Sequence, residues 1–299
     1  MSEPSATDLR DGIRAATARL REAGVASADV DAVELAAFVL GVEAGEVRRL
    51  LVLGGRTLPS RYAGLVDERA RRVPLQHLTG RAHFRHLTLS VGPGVFVPRP
   101  ETEVLVDLAL AEVDRVAAGR PDAPVRVVDL CSGSGAIPLA IRHERPGAVV
   151  RGIELSTDAL AWAVANRDRL GLDVELVAGD ATRPCFPEWA GAVDVVTVNP
   201  PYIPTGAVPL DPEVRDHDPE LALYGGSEDG LAVPLATARV AAGLLRPGGL
   251  VLIEHADSQG ESLPARLGRT GEWTDVTDHP DLSGRPRVTV ARRAPSTPG

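Results

Sequence analysis

The chain has 299 residues, of which 44% are hydrophobic and only 3% aromatic, and it carries a net charge of −9. This length suggests two domains, and the apolar content is that of a folded chain. All 32 basic residues are arginines. The lack of lysine excludes a Walker P-loop and lysine Schiff-base chemistry. The acidic balance disfavours a broad surface for duplex DNA, so no direct nucleic-acid partner is expected.

Signals for export, membrane insertion and metal binding are weak. Cys131 and Cys185 are too few for a disulfide framework or a cysteine-based zinc site. The amino terminus is polar and acidic, and no run of about 18 apolar residues occurs, so we expect a cytoplasmic protein without membrane contact. The closest histidine pair, His83 and His86, is interpreted as part of a solvated loop, and no metal site is predicted.

Within the first 100 residues, the sequence pattern changes once, from helical to strand-like, at about residue 74. Residues 1–73 predict a bundle of about four helices, because apolar residues recur at helical spacing. Residues 74–100 predict a linking β-hairpin, in which strands at 87–91 and 95–97 flank a turn at Gly92-Pro93-Gly94. Such a bundle alone carries no chemistry, and its usual task is to pack or to recognise; the family resemblance described below implies that it is a substrate-recognition domain.

Residues 101–294 alternate between helical and strand patterns. Predicted strands cover residues 125–130, 148–153, 174–178, 193–198 and 249–254, and two more short strands follow at about 273–277 and 286–292. Such alternation with apolar strands indicates an α/β domain whose parallel sheet is covered on both faces. Ligands of these sheets bind beyond the carboxyl ends of the strands. Residues 295–299 are predicted to be a disordered tail.

A glycine-rich loop follows the first strand of this domain, in the order Asp129-Leu-Cys-Ser-Gly-Ser-Gly135. A dinucleotide site would place a third glycine where Pro138 stands, which argues against NAD without excluding it. S-adenosylmethionine is the alternative that fits an acidic residue before the loop. Glu154 would then accept hydrogen bonds from the ribose hydroxyls, and Asp180 would meet the adenine amino group. A tight turn, a surface carboxylate and a helix cap are the simpler interpretations of these three features.

The tetrapeptide Asn199-Pro200-Pro201-Tyr202 follows directly on the predicted strand 193–198. An amide or ring-bound amine is a poor nucleophile because its lone pair is delocalised. Two acceptors that hold both N–H hydrogens, here the Asn199 side chain and the Pro200 carbonyl, orient that lone pair toward a methyl donor. Proline presets the carbonyl direction, and Tyr202 can stack on the planar group. These four residues are therefore the predicted catalytic and substrate-holding set of an N-methyltransferase.

Further motifs are similar to those of one family. They include Pro74-Leu-Gln-His-Leu-Thr-Gly80, Pro93-Gly-Val-Phe-Val-Pro-Arg-Pro-Glu-Thr-Glu103, Asp218-Pro-Glu-Leu-Ala-Leu-Tyr-Gly-Gly226 and Asp281-Leu-Ser-Gly-Arg-Pro-Arg287. With the glycine-rich loop and the tetrapeptide, they make the chain closely resemble the HemK/PrmC release-factor glutamine N5-methyltransferases over nearly its whole length.

The resemblance implies a Rossmann-like class I methyltransferase domain of seven strands with a reversed last strand. It also implies methylation of the glutamine in the Gly-Gly-Gln loop of class I release factors, with S-adenosylhomocysteine as the second product, and a helical domain that helps to hold the release factor. The cofactor-lining residues implied by position are Asp129, Cys131, Ser132, Gly133, Ser134, Gly135, Glu154, Asp180, Ala181 and Asn199. Residues 98–102 would close over the methionine end of the cofactor, and Pro98, Arg99, Glu101 and Thr102 are assigned to substrate binding.

The chain departs from the family pattern at several positions. Cys131 stands where glycine is frequent, Glu154 where aspartate is common, Ala181 where a bulky aromatic residue often follows, His77 where tyrosine is usual, and Glu254-His255-Ala256 where Glu-Ile-Gly is typical. None of these positions lies in the tetrapeptide, so we expect activity. The alternatives that remain are methylation of another protein glutamine, methylation of adenine N6 in nucleic acid, and a cofactor-binding interaction protein without turnover.

Overall fold

The computed structural model describes residues 7–295, which fold as two units. The first unit contains the residues up to Arg81 together with Pro209–His217. The second contains Ala82–Val208 and the residues from Asp218 onward. Of the tail predicted to be disordered, residues 296–299 lie outside the described residues.

The first unit is helical, as the apolar spacing predicts. Its elements in chain order are β1 (Thr7–Asp8), α1 (Leu9–Glu22), α2 (Ala28–Leu40), α3 (Ala44–Leu53), β2 (Thr57–Leu58), α4 (Arg61–Ala70) and α5 (Leu75–Thr79). Asp8 caps the start of helix α1, because its carboxylate accepts a hydrogen bond from the backbone amide of Arg10. Leu9, Ile13 and Leu20 of this helix are buried in one apolar core with residues of α2, α3 and α4. The short helix α5 is an element that the sequence did not predict.

The hairpin occupies residues 81–90 rather than 87–97. Strand β3 (Arg81–Phe84) pairs with β4 (Leu87–Ser90), and Arg85 takes a positive φ of 51° in the turn between them. Residues 95–97, predicted as a strand, form none. Val95 and Val97 are nevertheless buried in the core of the second unit. Their alternation therefore reflects an extended segment that buries every second side chain without pairing.

The second unit continues with alternating helices and strands. Its elements are α6 (Thr102–Gly119), β5 (Arg126–Leu130), α7 (Ala136–Glu144), β6 (Val149–Glu154), α8 (Thr157–Leu170), β7 (Val174–Ala178), β8 (Val193–Val198), α10 (Ala232–Leu244), β9 (Leu245–Glu254), α11 (Ser262–Gly268), β10 (Trp273–Pro280) and β11 (Pro286–Arg293). Helix α9 (Pro212–His217) lies between β8 and α10 in the chain but belongs to the first unit. Short 3-10 turns cover Pro187–Trp189, Glu220–Ala222 and Asp257–Gln259.

Strands β5 to β11 form one seven-stranded sheet in the order β10-β11-β9-β8-β5-β6-β7. Strand β11 runs antiparallel to both of its neighbours, and the remaining pairs are parallel. Apolar clusters cover both faces of the sheet, with α6 and α7 contributing to one cluster and α10 and α11 to the other. Because β8, β5, β6 and β7 are consecutive in the sheet, the loops after their carboxyl ends lie side by side. The predicted class I methyltransferase fold with a reversed last strand is confirmed.

Helix α9 lies in the long connection between β8 and α10, for which the sequence analysis predicted no helix or strand. Glu213 of this helix binds Arg72 (Nε–Oε1 2.8 Å) and Arg69 (2.7 Å), and Arg69 also binds Asp31 at 2.7 Å. Burial alone would raise the pKa of the Glu213 carboxyl. The hydrogen bonds to this carboxyl, of which the one from Arg72 has the largest effect, outweigh burial, so its pKa lies below the ordinary value. This ion network fixes the nine residues 209–217 within the first unit.

Candidate active site

The polar residues predicted to act together follow four neighbouring strands. Asp129 lies in β5, Glu154 ends β6, Asp180 follows β7 and Asn199 follows β8. These strands are adjacent and parallel, so all four residues reach the same edge of the sheet. The topology therefore brings together the residues that the sequence placed at strand ends.

The glycine-rich loop between β5 and α7 has an unusual backbone. Cys131, Gly133 and Gly135 take positive φ angles of 66°, 55° and 83°. A Cβ atom at Gly135 would lie 2.9 Å from Leu139 Cδ1, whereas one at Gly133 would meet nothing within 4 Å. Cys131 thus adopts a left-handed backbone conformation that favours glycine. Burial, followed by the nearby carboxylates, raises the pKa of the Cys131 thiol, so the side chain is uncharged.

Glu154 is buried and holds the glycine-rich loop. Its carboxylate accepts hydrogen bonds from the backbone amides of Gly133 (2.7 Å) and Ser156 (2.8 Å). A carboxylate has about four acceptor positions, so two remain for a ligand with paired hydroxyl groups. Its burial and these contacts do not fit the simpler interpretation of a surface carboxylate.

Asp129 is a buried carboxylate with unused acceptor capacity. Its Oδ1 accepts a hydrogen bond from the Thr197 hydroxyl at 2.7 Å, and its Oδ2 has no hydrogen-bond partner among residues 7–295. Burial raises the pKa of the Asp129 carboxyl to about 7, the Thr197 hydroxyl opposes this increase, and the neighbouring Glu154 adds to it. A positively charged ligand near Oδ2 would stabilise the ionised form.

Asp180 makes local contacts only. Its Oδ1 accepts hydrogen bonds from the Thr182 backbone amide (2.9 Å) and hydroxyl (2.6 Å), and these lower its pKa. Arg183 approaches Oδ2 at 3.2 Å. No helix begins directly after Asp180, so the simpler interpretation as a helix cap does not hold; its carboxylate binds within its own turn, and its role toward adenine stays a prediction. The adjacent Ala181 is buried against the sheet.

The tetrapeptide after β8 is held at both ends. The side-chain amide nitrogen of Asn199 donates to Thr102 Oγ1 at 3.3 Å, and the Tyr202 hydroxyl donates to Glu254 Oε1 at 3.3 Å. Gln259 Nε2 donates to the Tyr202 carbonyl at 2.9 Å. Burial raises the pKa of the Tyr202 hydroxyl, which stays protonated. The Asn199 amide is thus bound to Thr102 through its nitrogen and not through its oxygen.

The assigned substrate residues before α6 differ in exposure. Arg99 binds Asp218 at 2.8 Å and lies over the Phe96 ring at 5.1 Å. Thr102 is buried, Pro98 is half-buried and Glu101 is exposed. The pair between Arg99 and Asp218 joins two of the sequence motifs that the family resemblance rests on.

The loop after Tyr202 depends on glycines at specific places. The backbone amide of Ile203 donates to the Leu223 carbonyl at 2.8 Å, and Gly225 donates to the Ile203 carbonyl at 2.9 Å. Gly230 has a φ of 72°, and a Cβ there would clash with the Tyr202 carbonyl oxygen and lie 2.8 Å from Gln259 Nε2.

We expect Gly230→Ala to lower the free energy of unfolding by about 3 kcal/mol or more, because backbone strain adds to this overlap. Gly226→Ala is the matched control. Gly226 has a similar φ of 76°, but its Cβ would lie 3.6 Å from the nearest side-chain atom, an ordinary contact. It should lose only about 1–2 kcal/mol. Urea-induced unfolding measures the free energy of unfolding of both variants. Equal decreases would show that the Tyr202 carbonyl can move away from a Cβ atom at position 230.

Three residues of this site were not predicted. Glu254, Gln259 and Thr197 hold the tetrapeptide and Asp129 through the hydrogen bonds given above. Glu254 ends strand β9, which neighbours β8. The rule that ligands bind beyond strand ends could have found Glu254, and Gln259 follows the end of the same strand by five residues.

Comparison with known proteins assigns the family. Residues 11–80 match the PrmC N-terminal domain, and residues 115–211 match the methyltransferase small domain. A release factor glutamine methyltransferase of Streptomyces coelicolor is 49% identical over 93% of this chain and 96% of its own length. One from Mycolicibacterium smegmatis is 47% identical over 96% of this chain and 98% of its own length. The chain belongs to the release factor glutamine methyltransferase family.

The family also has relatives named for another substrate. A 4-amino-L-phenylalanine/4-methylamino-L-phenylalanine methyltransferase of Streptomyces pristinaespiralis is 39% identical over 92% of this chain and 92% of its own length. The chain is thus a methyltransferase, and its substrate needs a separate argument. Within residues 7–295, no helix is both long and apolar enough to cross a membrane, and no cluster of three potential metal ligands occurs.

Proposed function

We propose that this methyltransferase transfers a methyl group from S-adenosylmethionine to the side-chain amide nitrogen of the glutamine in the Gly-Gly-Gln motif of class I peptide release factors. The observation that carries the proposal is the position of Asn199-Pro200-Pro201-Tyr202. The tetrapeptide begins where β8 ends, beside the glycine-rich loop, and the Asn199 amide is oriented by Thr102.

The residues at the glycine-rich loop fit this cofactor. Glu154 has two free acceptor positions for the ribose hydroxyls, and Asp129 Oδ2 is a buried oxygen without a partner among residues 7–295 that a positively charged ligand would satisfy. Gly133 leaves open space above the loop. When bound, S-adenosylmethionine supplies a methyl group on a sulfonium that needs no further activation. Cys131, Ser132, Ser134, Gly135, Asp180 and Ala181 would complete the lining.

The tetrapeptide would prepare the substrate amide. The Asn199 side-chain oxygen and the Pro200 carbonyl would accept one hydrogen bond each from the two N–H groups of the glutamine side chain. This grip turns the nitrogen lone pair out of conjugation and toward the methyl donor, so positioning supplies most of the rate enhancement. As the nitrogen would form its bond to the methyl carbon, the carbon–sulfur bond would break, S-adenosylhomocysteine would leave, and the nitrogen would lose one proton to solvent. The half-buried Tyr202 would lie against the planar amide.

Protein recognition would come from residues outside the tetrapeptide. Pro98, Arg99, Glu101 and Thr102 would border the entering glutamine, and the helical first unit would hold the release factor. The relatives with the two highest identities quoted above are named for release factors, which supports this substrate. The net charge of −9 and the absence of lysine disfavour adenine in nucleic acid.

Methyl transfer from labelled S-adenosylmethionine tests the proposal. The substrates to compare are a purified class I release factor, the same factor with its Gly-Gly-Gln glutamine changed to glutamate, 4-amino-L-phenylalanine and an adenine-containing oligonucleotide. We expect label on the unchanged factor alone. Label on the glutamate copy would show that another residue of the factor is methylated. Label on the free amino acid or the oligonucleotide alone would show that a release factor is not the substrate.

A further inference from the structure

We propose that Asn166 is a positioning residue for the cofactor site, whose side-chain amide holds the glycine-rich loop in the conformation that binds S-adenosylmethionine. This inference rests on the cofactor of the proposed function. Asn166 lies on helix α8 and is not among the residues expected to line the cofactor.

The backbone of the glycine-rich loop needs support. Cys131 has a φ of 66°, a conformation that is costly for a residue with a side chain and that persists only where the surrounding structure holds it. Glu154 contributes one contact, because its carboxylate accepts a hydrogen bond from the Gly133 amide at 2.7 Å. Asn166 contributes another, because its Nδ2 donates to the Ser134 carbonyl at 3.1 Å. The loop is therefore held by side chains of two elements that follow it in the chain.

Helix α8 packs closely enough to bring Asn166 to the loop. Its buried residues Ala159, Ala163 and Asn166 are spaced along one helical face. The alanines leave room for the loop, since a Cβ atom at Gly135 would lie only 3.3 Å from the Ala163 Cβ. The exposed fraction of Asn166 is 0%. A fully buried amide is costly unless its polar groups are hydrogen-bonded, so the bonds of Asn166 explain why this face ends in a polar residue.

Backbone groups determine the orientation of the Asn166 amide. Its Oδ1 accepts from the Ser90 amide at 2.6 Å, and its Nδ2 donates to the Ser90 carbonyl at 2.9 Å. A backbone amide only donates and a carbonyl only accepts, so turning the side-chain amide over would break both bonds. Arg169 also donates to Oδ1, at 3.2 Å. Ser90 therefore directs Nδ2 toward Ser134, and the side chain ties the loop to the end of strand β4.

Asn166 affects cofactor affinity through the population of the loop conformation. A ligand that binds one conformation has an apparent Kd that rises as that conformation becomes less populated. Without the bond to Ser134, the loop can leave the left-handed arrangement at Cys131. The hydrogen bonds of Asn166 given above go to residues outside the tetrapeptide 199–202, so the methyl-transfer step does not depend directly on this side chain.

Asn166→Asp tests this role in the full-length enzyme. The variant keeps the shape of the side chain and replaces Nδ2 by an oxygen that cannot donate to the two carbonyls while the carboxylate is ionised. We expect the Kd of S-adenosylmethionine in calorimetric titration to rise about tenfold or more, the effect of one lost buried hydrogen bond. With a release factor as substrate, the KM of S-adenosylmethionine should also rise, while kcat at saturating cofactor changes less than about threefold.

Asp194→Asn is the matched control. It makes the reverse exchange of oxygen and nitrogen in a buried side chain of the same unit. Asp194 lies near the amino-terminal end of β8, where it binds Arg120 and Arg246. A change that merely loosens the fold lowers the Tm and the fraction of active enzyme, and it leaves the Kd of the folded molecules unchanged. We therefore expect a lower Tm and an unchanged Kd for Asp194→Asn.

Asn166→Ala removes the same hydrogen bonds without adding a buried charge, and it carries the test if Asn166→Asp does not fold. Its Kd should also rise about tenfold. An unchanged Kd in a folded Asn166 variant, or an equal rise in Asp194→Asn, would overturn the inference. Wild-type enzyme that does not bind S-adenosylmethionine in the same titration would instead contradict the cofactor of the proposed function.

Discussion

Asn199→Ala is expected to abolish methyl transfer, with kcat lowered about 1000-fold or more, while S-adenosylmethionine still binds. The side-chain oxygen is one of the two acceptors that hold the substrate amide, and this hold is strongest as the nitrogen lone pair leaves conjugation. Loss of a preorganised polar contact in a transition state costs about 100- to 1000-fold in rate. Alanine also removes the contact to Thr102, so the remaining loop loses its anchor at this end.

Single-turnover kinetics and calorimetric titration of the cofactor separate these effects. Thr205→Ala is a suitable control, since Thr205 is exposed and bonds through its backbone amide to the Ser227 carbonyl at 2.8 Å. It lies three residues after Tyr202 and should keep the wild-type rate. An Asn199→Ala enzyme with a near-normal rate would remove the side-chain oxygen from the mechanism.

Glu154→Ala is expected to raise the Kd of S-adenosylmethionine about 100-fold or more. Each hydrogen bond to a charged acceptor contributes about 1.5–3 kcal/mol, and two ribose hydroxyls would use the free positions of this carboxylate. The side chain also accepts from the Gly133 and Ser156 amides, so its removal loosens the loop that the cofactor rests on.

Glu154→Gln distinguishes the two contributions, because it keeps the shape of the side chain and halves its acceptor capacity. Glu175→Ala is the control on the neighbouring strand, where Glu175 is half exposed and pairs with Arg151. Calorimetric titration should give an intermediate Kd for Glu154→Gln and an unchanged Kd for Glu175→Ala. If Glu154→Ala binds the cofactor as tightly as the wild type, Glu154 is not part of the cofactor site.

The sheet was predictable because its signals are local. Apolar runs marked the strands β5 to β9, and Ser156 caps α8 through the Ala159 amide as a serine before a helix should. The hairpin was displaced because Gly92-Pro93-Gly94 is a strong turn signal, whereas the actual turn at Arg85 carries no glycine. Arg85 is held there by Glu144 at 2.6 Å, a contact between residues 59 apart.

The parts of the site that escaped prediction depend on distant contacts. Glu254 meets the tetrapeptide only because β9 neighbours β8. Helix α9 is stabilised by the bonds of Glu213 to Arg69 and Arg72, more than 140 residues earlier in the chain. A short stretch of sequence around Glu213 contains neither of these arginines. Spacing and motifs were therefore enough to find the strand-end residues, and they could not show what holds those residues in place.

The most direct test of the account is to locate the methyl group. A release factor is incubated with S-adenosylmethionine and either wild-type enzyme or Asn199→Ala, digested, and examined by fragmentation mass spectrometry. We expect one added methyl group on the Gly-Gly-Gln glutamine with the wild type and an unmodified peptide with the variant. A methyl group on any other residue, or an equally modified glutamine with Asn199→Ala, would contradict it.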